Sequence, residues 1–356
     1  MSKTIDDCLL LSHEDKQIFK HALSISDVDY LQNMSIFSKE GIYEKHGNYY
    51  VFKTNPSINI YYLGYNNNSI FIDENKKILF YSRYYFDLFN EFINYIDHIL
   101  NLIHNININE NILDIGSNFV SIEKWFVTYG HFKDEIFVIT DYIDNNNKNH
   151  KALLDYHTTD LPNYKANINY KIIDNILLGD NSINSYEHIN KILRLKDLIL
   201  IRHRITDTTF HSFPINVRNK IINSINNNNN MINHDKIFIT RGYASHLTRN
   251  LSNQMEVENY LHNHNFTLVN PELLNYGEFI NTIKNTDKIV ITWGGALVNL
   301  IYLKPYTKVY ILKSQSYEHE SLDLFEKIIK TYDLHVEVIT HENNIITLNK
   351  LNYLIK

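Results

Sequence analysis

From residue 236 onward the chain repeats one pattern. A short run of β-branched and aromatic residues is followed by a polar stretch with helical spacing. The spacing predicts strands near 237–240, 266–269, 288–292 and 308–312, each leading into a helix. Strand–helix alternation of this kind builds a parallel sheet flanked by helices, because parallel strands need a crossover between them. Ligands of such sheets sit beyond the carboxyl ends of the strands.

The upstream half is more mixed. Residues 1 to about 40 read as helical and polar. Strand patterns follow at Ile58–Tyr62, Ser69–Ile72 and Ile78–Tyr81, and an amphipathic helix over Tyr85–His104. Alternation then begins. Strands are expected at Asn111–Asp114, Trp125–Thr128 and Leu198–Ile201, with helices from about His131 and over Pro214–Ile225. The asparagine run 226–230 gives little support to helix or strand and reads as a linker. These features divide the 356 residues into an N-terminal extension (1–104, helical and β-rich), a first α/β domain (105–230) and a second (231–356). Two α/β halves joined by a polar linker point to a cleft between them.

A net charge of −6 without a Lys/Arg-rich run argues against a general nucleic-acid surface. Cys8 is the single cysteine, so no internal disulfide can form. No stretch reaches the roughly 18 apolar residues of a membrane span, and Met1–Asp7 lacks the pattern of a secretory leader. The sequon Asn250-Leu251-Ser252 lies inside the segment that carries the binding residues, where a glycan would obstruct it. A cytoplasmic setting is therefore expected, that of a host cell or viral factory if the chain is viral.

Chemistry-bearing residues gather after the strands. Arg241 directly follows Ile237-Phe238-Ile239-Thr240, and Arg249 comes eight residues later with Asn253-Gln254 behind it. Paired guanidinium groups at a strand end suit a diphosphate, although an arginine is more often simply solvated. Thr292-Trp293-Gly294-Gly295-Ala296-Leu297-Val298-Asn299 reads as a strand end, a glycine turn and the start of a helix. With only ten glycines in the chain, two adjacent ones here favour close backbone approach by a phosphate over a plain packing turn. Glu272, after the second of these strands, is suited either to ribose hydroxyls or to capping a helix. His131 and Glu135 share one helix face at i,i+4 spacing. They form either an imidazole–carboxylate pair able to take a proton or a solvated helix start. No acidic motif with metal-binding spacing falls at a strand end, so no metal is expected.

Together these segments resemble glycosyltransferase family 61. That family runs strand, Arg, a few residues, Arg, an apolar residue, then Asn-Glu, matched by Arg241, Arg249, Leu251, Asn253 and Gln254. Its Pro-Glu-x-Leu segment is matched by Pro271-Glu272-Leu273-Leu274, and its Asn-Tyr-x-His-Phe/Trp-x-x-Asp/Glu segment by Tyr129 to Glu135. Its His-Gly-Ala-Gly-Leu-x-Asn box is matched in part by Trp293 to Asn299, with Trp293 in place of the histidine. The resemblance covers roughly residues 105–315. It implies a GT-B fold, two Rossmann-like domains facing a cleft, and inverting, metal-independent transfer from a nucleotide sugar, expected to be UDP-linked. The acceptor would be a hydroxyl on a glycan, lipid-linked glycan or protein. It further implies Glu135 or His131 as base, from the N-terminal lobe. Arg241, Arg249, Glu272, Thr292, Gly294, Gly295, Ala296 and Asn299 would hold the nucleotide sugar. A cofactor is not called for, and homo-oligomerisation stays open.

Two other readings compete. Ile112-Leu113-Asp114-Ile115-Gly116 looks like the strand and Asp-x-Gly turn of an S-adenosylmethionine-dependent methyltransferase, but β-branched Val120 stands where that fold needs a glycine. The missing box histidine also suits a non-catalytic nucleotide- or glycan-binding protein.

Overall fold

The structure is a computed structural model. It describes residues 44–46, 49–65, 68–74, 78–82, 112–122, 129–146, 149–154, 166–188, 191–202, 214–225, 234–240, 251–317 and 323–355. The helices expected over 1–40 and 85–104, the strand over 125–128 and the asparagine run lie outside the described residues. The chain divides into two compact units, each treated separately below.

Unit 1 is built on a mixed sheet. Its described strands are β1 (Glu44–His46), β2 (Tyr49–Lys53), β3 (Ile60–Tyr65), β4 (Asn68–Asp73), β5 (Ile78–Ser82), β6 (Ile112–Ile122), β7 (Lys151–Leu154), β8 (Ser182–Asn184) and β9 (Ile192–Arg202). The order is β5-β4-β3-β9-β6-β7-β8, and β2 also pairs with β9. β9 carries β6 in parallel on one side and β2 and β3 antiparallel on the other. The three upstream strands read from the sequence are thus observed. Leu193, Leu195, Leu198 and Leu200 all join one buried cluster with Tyr62, Phe71 and Phe119. Inward residues shift from odd to even numbers because Asp197 has φ +51, which turns the strand over. Asn118 of β6, at φ +66, is skipped in the pairing together with Asp197.

The Asp-x-Gly reading is corrected here. Asp114 and Gly116 do not end a strand before a helix. They form a bulge inside the eleven-residue β6, with a register shift between them. Gly116 has φ +94 and donates its N–H to the Asp114 carboxylate at 3.0 Å. Asp114 also accepts two hydrogen bonds from Arg194 of β9, at 2.7 and 3.1 Å. A carboxylate spent on its own strand and its neighbour is a fold element, and the methyltransferase reading loses its support.

Helix α1 (Tyr129–Asn146) contributes its first residues to unit 2 and the remainder to unit 1. Unit 2 also contains α2 (Ala166–Leu177) and α3 (Ile215–Ile225). Its core is a five-stranded parallel sheet of β10 (Lys236–Ile239), β11 (Thr267–Val269), β12 (Lys288–Thr292), β13 (Lys308–Ser314) and β14 (His335–His341). Among the described residues four helices accompany it: α4 (Gln254–Asn263), α5 (Tyr276–Ile283), α6 (Asp323–Thr331) and α7 (Leu348–Ile355). Four strands match the pattern in the sequence, and β14 is a fifth. The order is β11-β10-β12-β13-β14, so the chain reverses its direction of travel between β10 and β12.

Both faces of this sheet are covered. Phe238, Val290, Leu312 and Ile339 pack with Val257 and Leu261 of α4 and Leu351 and Leu354 of α7. The alternate residues of β10, β12 and β13, Ile237, Ile239, Ile289, Ile291, Val309 and Ile311, are also buried. Strands buried on both sides explain the continuous apolar runs in the sequence. Asn275 caps α5 reciprocally with Glu278: each side chain meets the other's backbone N–H at 2.9 Å. Among the described residues no helix is long and apolar enough to cross a membrane.

Candidate functional site

In an open parallel sheet, the crevice for a ligand opens where the strand order reverses, outside the carboxyl ends. Here that point lies between β10 and β12, which pair through Ile239 and Ile291. Two buried threonines, Thr240 and Thr292, therefore close the strands on either side of it. Arg241 follows Thr240 at once, but Arg241 and Arg249 lie outside the described residues.

Beyond Thr292 the chain makes a turn that the sequence requires. Gly294 has φ +143 and ψ −167, a region open only to glycine. Trp293 is held to the sheet edge by its N–H on the Leu312 carbonyl at 2.9 Å. Gly295 then opens an eight-residue segment, Gly295–Tyr302. The helix expected here is observed and is of the 3₁₀ type, its first bond running from the Leu297 N–H to the Gly294 carbonyl at 3.0 Å. The N–H groups of Gly295 and Ala296 precede that bond and have no acceptor inside the segment. A Cβ added to Gly295 would meet nothing within 4 Å, so there is open space beside the turn. Leu297 to Tyr302 are buried, which makes the segment a rigid mount for its exposed first residues. Thr292 ends β12, Gly294 makes the turn, Gly295 and Ala296 open the 3₁₀ segment, and Asn299 is buried within it.

The remaining sequence-stated residues are placed less fully. Glu272 lies in a 3₁₀ turn, Pro271–Leu273, just after β11, as expected from its position behind a strand. His131 and Glu135 both fall in α1, in its portion belonging to unit 2, and Glu135 is half-buried. Side-chain positions of His131 and Glu272 are outside the described residues.

Three residues around the turn and the segment behind it were missed in the sequence. Lys313, at the end of β13, is 8% exposed and sits over the Trp293 ring. Thr240 was legible as the counterpart of Thr292 but was passed over in favour of Arg241. Arg218 of α3 donates to the Ile301 and Leu303 carbonyls at the far end of the 3₁₀ segment, and no local sequence signal betrays that. Trp293 itself is buried edge-on against Phe325 of α6. Its indole packs inward and so does not replace a polar histidine.

The start of α4 is anchored to the turn after β14. Asn253 donates to the Ile346 carbonyl at 2.8 Å and accepts the Ile346 N–H at 3.2 Å. Ser252 donates its N–H to the Asn344 carbonyl at 2.7 Å. The Asn of the Asn-Gln pair is therefore a clasp between the start of α4 and the turn after β14. Among the described residues no group of three or more His, Cys, Asp or Glu is placed to hold a metal ion.

The described part of unit 2 is thus a parallel α/β sheet with a glycine turn beyond β12, at the point where the strand order reverses. The family model described as Glycosyltransferase 61 matches residues 129–310, more than half of the chain, and the chain belongs to glycosyltransferase family 61. Membership implies transfer of a sugar from a donor to a glycan acceptor. A search of curated proteins found no match.

Proposed function

We propose that this chain is an inverting glycosyltransferase of GT-B architecture, taking a nucleotide sugar, UDP-linked, on the carboxyl edge of the unit 2 sheet. The observation that carries this reading is the Gly294-Gly295 turn. It stands at the switch point, has two N–H groups without an acceptor inside the segment and leaves space where a side chain would be. Such a turn suits a diphosphate.

In the proposed mechanism Glu135 or His131 takes the proton of the acceptor hydroxyl. The freed oxygen attacks the anomeric carbon from the side opposite the diphosphate. The new C–O bond forms as the bond to the diphosphate oxygen breaks, inverting the configuration. Arg241 and Arg249, with the N–H groups of Gly295 and Ala296, balance the charge that develops on the leaving UDP. Fixed charge of this kind is usually the largest catalytic contribution. Glu272 accepts from the ribose hydroxyls. No metal enters the reaction, and the acceptor is made in the cytosol.

A panel of nucleotide sugars tests this, read by release of nucleoside diphosphate with and without glycan acceptors. Turnover of one UDP-sugar with inversion at the anomeric carbon is expected. Binding of UDP without turnover of any donor would instead leave a non-catalytic binding protein.

A further inference from the structure

We infer that Arg218 is a positioning residue for the diphosphate, acting through the 3₁₀ segment without touching the ligand; the inference rests on the reading of the glycine turn given above. The segment has two ends. At eight residues and about 2.0 Å of rise each, they are about 16 Å apart. The near end is the Gly294-Gly295 turn. The far end presents carbonyls that no residue of the segment can satisfy, and Arg218 meets them. Its Nε donates to the Ile301 oxygen at 2.7 Å and its Nη2 to the Leu303 oxygen at 3.2 Å. The third nitrogen, Nη1, donates to Asn219 at 2.9 Å. A cation at this end also opposes the segment's dipole.

The guanidinium is itself fixed. It lies 5.3 Å from the centre of the Tyr332 ring, just past the end of α6. The same helix carries Phe325, which packs edge-on to Trp293 at 5.7 Å, beside the glycine turn. α6 therefore braces both ends of the segment, one through Phe325 and Trp293, the other through Tyr332 and Arg218. At the far end the hydroxyl of Tyr302, the segment's last residue, is hydrogen-bonded to that of Tyr276 in α5. The buried segment cannot bend to absorb a displacement, so releasing its far end moves the N–H groups of Gly295 and Ala296 at its near end.

The test compares binding of UDP and of uridine by the full chain carrying Arg218→Met or Arg218→Lys. A positioning role predicts UDP affinity about tenfold weaker in Arg218→Met, since small misplacements of a binding group are costly. Uridine, which lacks the diphosphate, should bind as before. Arg218→Lys should recover part of the loss, because an ammonium reaches only one carbonyl well. Should Arg218→Met fail to fold, the same comparison in Arg218→Lys decides. Equal loss for both ligands, or no loss for UDP, would overturn the inference. Wild-type protein that bound no UDP would overturn the functional reading itself, and the inference with it.

Discussion

The ammonium of Lys313 lies 4.3 Å from the centre of the Trp293 ring. Two consecutive strand ends, those of β12 and β13, are thereby joined by a cation on an aromatic face, next to the glycine turn. Trp293 is 3% exposed. Trp293→Ala is expected to destabilise the fold by about 3–5 kcal/mol, seen as a lower urea midpoint. Combined with Lys313→Met in a double-mutant cycle, it should show a coupling of about 0.5–2 kcal/mol. Strict additivity would mean that the ring and the ammonium do not interact.

The two glycines should separate fold from function. Gly294→Ala forces a side chain into a backbone region reserved for glycine and is expected to cost about 1–3 kcal/mol of stability. Gly295→Ala meets no atom and should leave stability within about 0.5 kcal/mol. Its methyl group would occupy the space proposed for phosphate, so UDP affinity should fall while the melting temperature holds. A Gly295→Ala protein with full UDP affinity would remove this turn from the site.

His341, at the end of β14, is buried, and burial first and Lys350 second push its pKa down to about 4. The unfolded chain takes up the proton near pH 6.5. Above that value both states are neutral there, and the full contribution to stability is present. As pH falls from about 6.5 toward 4, the unfolded state binds a proton that the folded state refuses, and stability is lost. Denaturation at pH 7, 5.5 and 4.5 should show this decline, and His341→Gln should flatten it. An unchanged profile in the variant would assign the acid sensitivity to other groups.

Charge neutralisation by arginines and backbone N–H groups needs no metal. Addition of EDTA is therefore expected to leave turnover unchanged. Loss of activity restored by Mn²⁺ would contradict that expectation.

The fold was legible where burial on both faces demanded unbroken apolar runs. Ile237–Thr240 and Lys288–Thr292 announced β10 and β12, and with them the strand ends that frame the candidate site. β14 escaped because His335-Val336-Glu337-Val338 alternates at the sheet's edge, with His335 and Glu337 exposed. β6 was cut short at Asp114 because a glycine after an aspartate suits a turn and a bulge equally, and only pairing with β9 decides between them. The 3₁₀ form of Gly295–Tyr302 was hidden for a related reason. A short apolar segment buried from Leu297 onward carries no helical periodicity by which to tell one helix type from another. Arg218 was invisible because its partners lie 83 and 85 residues away and are backbone carbonyls.

Calorimetric titration of UDP into wild-type protein and into Arg249→Ala measures most directly whether the two arginines and the glycine turn grip one diphosphate. Wild type should bind, and the variant, folded to the same melting temperature, should bind UDP at least about tenfold more weakly and turn over its donor at least about tenfold more slowly. Equal affinity and equal turnover in the two proteins would contradict the site described here.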